Sequence, residues 1–250
     1  MEVSPQDAVE YLTQRMQVPK IVAQSDHWLV VNKPSGMVVH RSRGANDYHT
    51  LVRVMREELG PDVFPVNRLD RQTSGAIVMA RSRDAARELS TAFAERTVQK
   101  TYEAVVRGWP PLSEDEEHLI DRELGDKPAS TRIRVLHKTL LDVSLSHHPQ
   151  TRVARLRVFP KTGLHHQIRR HLRGWGYPIV NDQKHGDRTL NRGFHETFKV
   201  KRMLLHSKSI TFSFQGQQYT AECDWSGRTR GLLHHLGLMP EAGVAPGALT

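Results

Sequence analysis

An α+β fold, a mixed and largely antiparallel sheet flanked by a few helices, is what this chain predicts. Three observations carry that expectation. Short runs that alternate apolar and polar residues dominate the second half of the 250 residues. A few segments with apolar residues at helical spacing interrupt them, and no internal repeat or low-complexity linker divides the chain.

Ser4 before Pro5 reads as a helix cap followed by proline at the first helical position. Ala8, Leu12 and Met16 then recur at helical spacing. Residues 21–31 form a strand or hairpin turning at Ser25-Asp26, broken by Lys33-Pro34-Ser35-Gly36. Leu51, Val54, Met55 and Leu59 make one helical face, stopped by Gly60-Pro61. The short apolar run from Ala76 to Ala80 is a buried strand, and Ala86, Leu89 and Phe93 lie on a helix spanning 84–97. Strands are expected at 101–107, 131–136, 140–146 and 152–159. In the last, Ala154, Leu156 and Val158 alternate with Arg155 and Arg157, a half-buried strand with a basic face. Thr162 or Gly163 starts a helix that turns Ile168, Leu172 and Trp175 inward. Ile210, Phe212 and Phe214 lead through Gln215-Gly216-Gln217 to Tyr219, a terminal hairpin.

Composition narrows the function classes. Hydrophobic residues make up 38%, and no stretch approaches the roughly 20 apolar residues of a membrane span. The polar, acidic N-terminus is unlike a secretory signal, and a lone Cys223 allows no internal disulfide, so the expected address is cytoplasmic. The net charge is +9, and between Thr151 and Ile210 there are 14 Lys and Arg against three acids. An acidic patch runs from Glu114 to Asp126. This asymmetry points to one basic face and a polyanionic partner. Fifteen histidines include the pairs His147-His148, His165-His166 and His234-His235. None has metal-ligand spacing and no phosphate-binding glycine loop is present, so neither a metal nor a nucleotide cofactor is expected.

The densest chemistry is Asn67-Arg68-Leu69-Asp70-Arg71-Gln72-Thr73-Ser74-Gly75, where one carboxylate sits between two arginines at the end of a loop leading into a strand. By itself the pattern leaves open a turn or capping aspartate, an ion pair with Arg68 or Arg71, or a working acid. Three further elements stand in order around it: Asn32-Lys33-Pro34-Ser35-Gly36 with Val39-His40, Lys100-Thr101-Tyr102-Glu103-Ala104 with Gly108, and Thr162-Gly163-Leu164-His165-His166-Gln167-Ile168-Arg169.

Together these elements resemble the RluA-type pseudouridine synthases, over residues 21–224. The resemblance implies a pseudouridine synthase fold that isomerises a flipped-out uridine in RNA without a cofactor. Asp70 would be the catalytic aspartate, as nucleophile or carboxylate partner. Tyr102 would stack on the base and relay a proton. Arg169 would pair with Asp70, since a guanidinium beside a partly buried aspartate favours its ionised form. Arg68 would fill the space vacated by the base. Lys33, Arg71, His166, Lys184 and Arg188 complete the set expected to contact RNA or assist flipping. Three positions depart from the pattern: Asn67 for histidine, Leu164 for arginine and Asn181 for glycine. The stretch from Asp182 to Arg192 and Arg202-Met203-Leu204-Leu205-His206-Ser207 resemble the TruC subgroup, whose target is the uridine at tRNA position 65. The implied partner is therefore tRNA. A ribosomal RNA synthase and a non-catalytic RNA-binding protein on the same fold are the alternatives. The expected organisation is an N-terminal helical extension over 1–20, a catalytic domain over 21–238 and a flexible tail over 239–250. No separate N-terminal RNA-binding domain or obligate protein partner is expected, and the resemblance implies a monomer.

Overall fold

The structure is a computed structural model that describes residues 18–40, 49–113, 116–143, 145 and 150–239. The helix expected from Ser4, and the tail beyond Met239, lie outside the described residues.

β1 (Lys20–Gln24) and β2 (Trp28–Lys33) form the first hairpin. The Ser25 hydroxyl accepts the N–H groups of His27 and Trp28 at 3.1 and 3.2 Å, which closes the turn. β2 pairs antiparallel with β4 (Ser74–Ala80), every residue of which is buried, and the two-residue β3 (Phe64–Pro65) lies along the end of β4. Between them, α1 (Leu51–Leu59) is capped by Thr50, whose side chain accepts from Arg53 N–H, and stops at Gly60 with φ 95°. Ser82 caps α2 (Arg83–Ala94) in the same way. This helix ends before the expected 97 because Arg96 takes φ 61°, which a right-handed helix cannot continue.

β5 (Gln99–Arg107), β6 (Glu117–Asp121), β7 (Ser130–Leu141) and β8 (Thr151–Pro160) follow. β7 corrects one expectation. The strand anticipated at 131–136 and the start of the one anticipated at 140–146 are a single strand, because a bulge between Val135 and His137 lets pairing with β8 continue to Leu141; Ser144 and Ser146 lie outside the described residues. α3 (Gln167–Gly174), α4 (Arg188–Phe198), β9 (Leu205–Phe214), β10 (Gln217–Glu222) and α5 (Gly227–His235) complete the order.

Among the described residues the strands form one sheet in the order β1-β2-β4-β9-β5-β8-β7-β6, with β10 on β9 and β3 on β4. Every pairing is antiparallel except β4 with β9, which is parallel and holds only Ser74 to His206 and Gly75 to Ser207 in register. One face packs Val31, Ile77, Ala104 and Leu156 against Leu51 and Met55 of α1 and Leu172 of α3. The other face is covered by Leu89 of α2 at one end, and by Phe194 of α4 and Leu233 of α5 at the other.

The basic face expected of β8 is partly neutralised. Glu103, 1% exposed, accepts Arg155 Nη2 at 2.8 Å and Trp225 Nε1 at 2.8 Å, and lies 3.6 Å from Arg157 Nη2. These two arginines therefore hold a buried carboxylate instead of an open surface.

Candidate active site

Asp70 sits in the loop between β3 and β4. Its carbonyl accepts Thr73 N–H at 3.1 Å, closing a turn that delivers the chain into β4. The loop is stitched down at both ends. Asn67 Oδ1 accepts Val78 N–H at 3.1 Å, so the amide that departs from the family pattern ties the loop to the strand it precedes. On the other side Gly36 N–H donates to the Arg71 carbonyl at 2.8 Å and Arg71 Nε to the Gly36 carbonyl at 3.0 Å.

Lys33 corrects another expectation. It is fully buried, and its Nζ donates to the carbonyls of Met37, Pro34 and Arg71 at 2.7, 3.0 and 3.2 Å. Burial pushes its ammonium down to about 7, against the attraction of Asp70. An amine so enclosed cannot touch RNA; it fixes the two loops that frame Asp70.

Tyr102 reaches the same place from β5. Gly75 of β4 is in register with Ser207 of β9, Ser207 with Tyr102, and Tyr102 with Val158 of β8. The register row thus runs from the strand that follows Asp70 straight to the tyrosine. Close approach at its first step requires glycine, since a Cβ on Gly75 would lie 2.1 Å from the Ser207 carbonyl oxygen. The Tyr102 phenol is pushed up to about 12 by burial, a side-chain hydrogen bond with Ser207 opposing and the charge of Asp70 adding. It is a protonated donor at neutral pH.

Arg169 arrives on α3. That helix starts at Gln167, later than expected, because His166 adopts a left-handed φ of 55° that separates it from the preceding turn. Gln167 replaces a conventional cap. Its Oε1 accepts Thr162 Oγ1 at 2.6 Å and Leu164 N–H at 3.1 Å, and its Nε2 donates to the Ser130 carbonyl and to Thr131 Oγ1, both at 3.0 Å. With the amide saturated, the helix is locked to β7 and Arg169 is aimed at the loop of Asp70.

Arg169 Nη1 donates to Asp70 Oδ2 at 2.9 Å, while Nε and Nη2 grip both oxygens of Asp182 at 2.7 and 2.8 Å. Asp182, 1% exposed, also accepts the backbone N–H groups of Lys184 and His185 at 3.0 and 2.9 Å. Burial alone would raise its pKa, but the bonds from Arg169 and the two amides together outweigh that and lower it. Asp182 is the functional neighbour that sequence reasoning quoted only inside a longer match. Asn181 beside it takes φ 63° and donates Nδ2 to the carbonyls of Val200 and Arg202, so it occupies a conformation typical of glycine while tying two loops together.

His166 Nε2 lies 3.6 Å from Asp70 Oδ2, and its Nδ1 meets His185 Nε2 at 2.9 Å. Burial first, with the charge of Arg169 adding and that of Asp70 opposing, pushes the imidazole down to about 4, so it is neutral near pH 7. Both contacts fall on Oδ2. Among the described residues Asp70 Oδ1 carries no hydrogen bond, which leaves its lone pairs available for chemistry.

Two cavities meet at this carboxylate. One of about 350 Å³ is lined by Asp70, Tyr102 and Arg169, with Leu69, Ile168 and Leu205 among its apolar walls. A second of about 250 Å³ is lined by Val38, His40, Arg71, Gln72 and His165. Arg68, Asp70, His166 and Arg169 border both. The first falls in the size range of small-ligand sites. Exposed Arg68 stands at the junction, and Arg71 is exposed on the second cavity. Lys184 and Arg188 are exposed but line neither cavity, so the structure does not bring their side chains to Asp70. No group of three or more His, Cys, Asp and Glu among the described residues could hold a metal ion.

Comparison with known proteins places this geometry. Residues 27–173 match the family model described as RNA pseudouridylate synthase. The chain is 38% identical over 206 residues to tRNA pseudouridine synthase C of Vibrio cholerae, covering 77% of this chain and 84% of that protein. It is 32% identical over 242 residues to the protein of that name from Yersinia pestis, covering 91% and 93%. The similar protein of Pectobacterium carotovorum is 33% identical over 240 residues, which span 89% of this chain and 64% of the relative. Among solved structures, human RNA Pseudouridylate Synthase Domain Containing 4 superposes with a TM-score of 0.69 at 21% identity, covering 92% of this chain and 99% of that one, a likeness of fold. Sequence family, curated relatives and fold agree with the RluA-type motifs, and the chain belongs to the RNA pseudouridylate synthase family.

Proposed function

We propose that this protein isomerises a uridine of tRNA to pseudouridine, at position 65 in the T-stem. The observation that carries the reading is the Asp70 carboxylate on the wall of a uridine-sized cavity, held through one oxygen by Arg169, with the Tyr102 ring lining the same cavity. The tRNA substrate is supported by the curated relatives, which bear the name tRNA pseudouridine synthase C.

A stacked base is out of reach, so the uridine is extruded at a cost of a few kcal/mol, and Arg68 at the cavity junction occupies the gap. Asp70 acts on the ribose as nucleophile or carboxylate partner while the N1–C1′ bond breaks. The base turns against Tyr102, C5 joins C1′ as any bond from Asp70 to the sugar breaks and its electron pair returns to the carboxylate, the C5 proton leaves and N1 gains one. Atoms and charge balance without redox change or hydrolysis. Arg169 holds Asp70 in place, and the neutral His166 borders it. Residues 21–238 act as one catalytic unit, a cytoplasmic monomer; the one-unit reading is supported by the single sheet that joins Lys20 to Glu222.

The test is a pseudouridine map of unmodified tRNA and ribosomal RNA after incubation with the purified protein, alongside Asp70→Asn. A new T-stem stop that vanishes in Asp70→Asn, with RNA affinity retained, is the expected result. A stop only in ribosomal RNA would overturn the substrate, and no stop in either RNA would leave a binding protein.

A further inference from the structure

The 350 Å³ cavity carries more positive charge than its chemistry at Asp70 uses. Arg68, Arg96, Lys100 and Arg169 line it, against Asp70 as the sole carboxylate of its lining, and that carboxylate is already paired with Arg169. Arg96 and Lys100 sit together on the α2 side. Lys100 Nζ donates to the Thr162 carbonyl at 3.1 Å, its one acceptor among the described residues, and comes within 3.9 Å of where a side chain on Gly163 would begin. Arg96 is exposed, follows the last turn of α2 in a left-handed conformation, and among the described residues meets no carboxylate. Its charge lies near enough to Lys100 to add to burial in lowering that ammonium's pKa. The two cations line one cavity without an acid beside them, and an anion between them would relieve their repulsion.

Their place along the chain says which anion. Lys100 and Tyr102 are two residues apart on β5, separated by a register irregularity between Thr101 and Tyr102, and both line this cavity, Lys100 from the α2 side. Glu103, on the opposite face, is consumed by Arg155 and Trp225. An occupant whose uncharged ring lies against Tyr102 would carry its charged end toward Lys100 and Arg96. Leu164, lining the same cavity, offers only an apolar side chain there.

We propose that Arg96 and Lys100 form a phosphate-binding subsite, gripping a backbone phosphate that flanks the uridine lodged against Tyr102. This rests on the reading of the cavity as the uridine site. It assigns a binding role to two residues outside the Asp70 and Arg169 constellation, and it makes the end of α2 part of the RNA interface.

The experiment uses Arg96→Asn, since asparagine tolerates the left-handed backbone there, Lys100→Gln as a second variant, and Arg87→Gln as a control whose guanidinium is paired with Asp84. Affinity for unmodified tRNA is measured across a salt series, with kcat and KM alongside. The subsite predicts that Arg96→Asn lowers the slope of log affinity on log salt by about one, raises KM at least fivefold and leaves kcat within twofold, while Arg87→Gln matches the unaltered protein. A synthetic T-stem hairpin with a methylphosphonate on either side of the target uridine then locates the contact. At one of the two positions the unaltered protein loses affinity and Arg96→Asn, or Lys100→Gln should Arg96→Asn fail to fold, does not. An unchanged salt slope, or equal loss in both proteins at both positions, overturns the subsite. Because the slope and the hairpin are read by binding, an unaltered protein that bound as expected but made no pseudouridine would sink the catalytic reading and leave the phosphate subsite standing.

Discussion

Arg169 is bound more closely to Asp182 than to Asp70: two of its donors, at 2.7 and 2.8 Å, grip the buried Asp182 carboxylate, and one, at 2.9 Å, reaches Asp70. The guanidinium is thus fixed from behind before it meets the reacting side. Planar bidentate geometry fixes the plane of the fork as well as its position, which an ammonium could not do.

Asp182 is therefore a positioning residue, and Asp182→Asn is expected to lower kcat at least tenfold while RNA affinity stays within twofold. Rescue in Asp182→Glu, which keeps the carboxylate, would be partial. Asp182→Ala leaves Arg169, 9% exposed, without its main partner, and should cost about 3–5 kcal/mol in denaturant unfolding. A kcat within twofold of the unaltered protein in Asp182→Asn would show that Arg169 is held adequately by Asp70 alone.

Tyr102→Phe separates the ring from the hydroxyl. The ring packs in the main core, so folding should survive with a loss of about 1 kcal/mol from the lost hydrogen bond. Turnover is expected to fall at least tenfold at unchanged KM. Tyr102→Leu should raise KM as well, because the proposed stacking on the base goes with the ring. Equal turnover in Tyr102→Phe and the unaltered protein would limit the residue to stacking.

Acid should destabilise the fold through His206. Burial pushes this imidazole down to about 4, below an unfolded value near 6.5. A directed chain runs through it: Arg202 Nη2 donates to Ser74 Oγ at 2.6 Å, Ser74 Oγ to His206 Nδ1 at 2.8 Å, and His206 Nε2 to the Cys223 carbonyl at 3.0 Å. Between the two pKa values the unfolded chain binds the extra proton. Stability is full above pH 6.5 and falls as pH drops toward 4, by about 3 kcal/mol from this group. Urea midpoints at pH 7.5 and 4.5 test it, and His206→Gln should flatten part of the difference. An identical pH slope in that variant would place the titration elsewhere.

Two glycines contrast space with conformation. Gly75→Ala puts a methyl 2.1 Å from one backbone atom of Ser207 and 2.7 Å from another, at φ +108°, and should cost more than about 3 kcal/mol or prevent folding. Gly36→Ala, at φ +92° with nothing within 4 Å, should cost only about 1–2 kcal/mol. Thermal unfolding of both variants distinguishes the two causes, and equal losses would contradict the crowding at Ser207.

Most strands and α1 were legible because their signals are local: Ser25 in the first turn, Thr50 and Gly60 at the ends of α1, Gly216 in the last hairpin; the short β3 and β6, the latter inside the acidic run, went unread. Asp70, Tyr102 and Arg169 were legible through their motifs, and the structure brings all three to one cavity. Asp182 was not readable as the partner of Arg169, since nothing at a separation of 13 residues across a loop marks a pair. Lys33 misled because a lysine in a turn ordinarily faces water, whereas here three carbonyls enclose it. The helix at α3 was placed too early because apolar spacing says nothing of a left-handed residue at His166. α4 went unread although Asp187, which accepts the N–H groups of Thr189 and Leu190, was a visible cap.

The parallel step between β4 and β9 joins the part of the sheet that leads to Asp70 with the part that carries Tyr102, and only two residue pairs make it. Within the sheet, among the described residues, the alignment of carboxylate and ring runs through this one step. A substitution at Ser74, Gly75, His206 or Ser207 that opened this joint by half an ångström would leave both antiparallel halves of the sheet intact by spectroscopy. Such a protein would be well folded and slow, and its defect would lie in the distance between two side chains that had themselves not been touched.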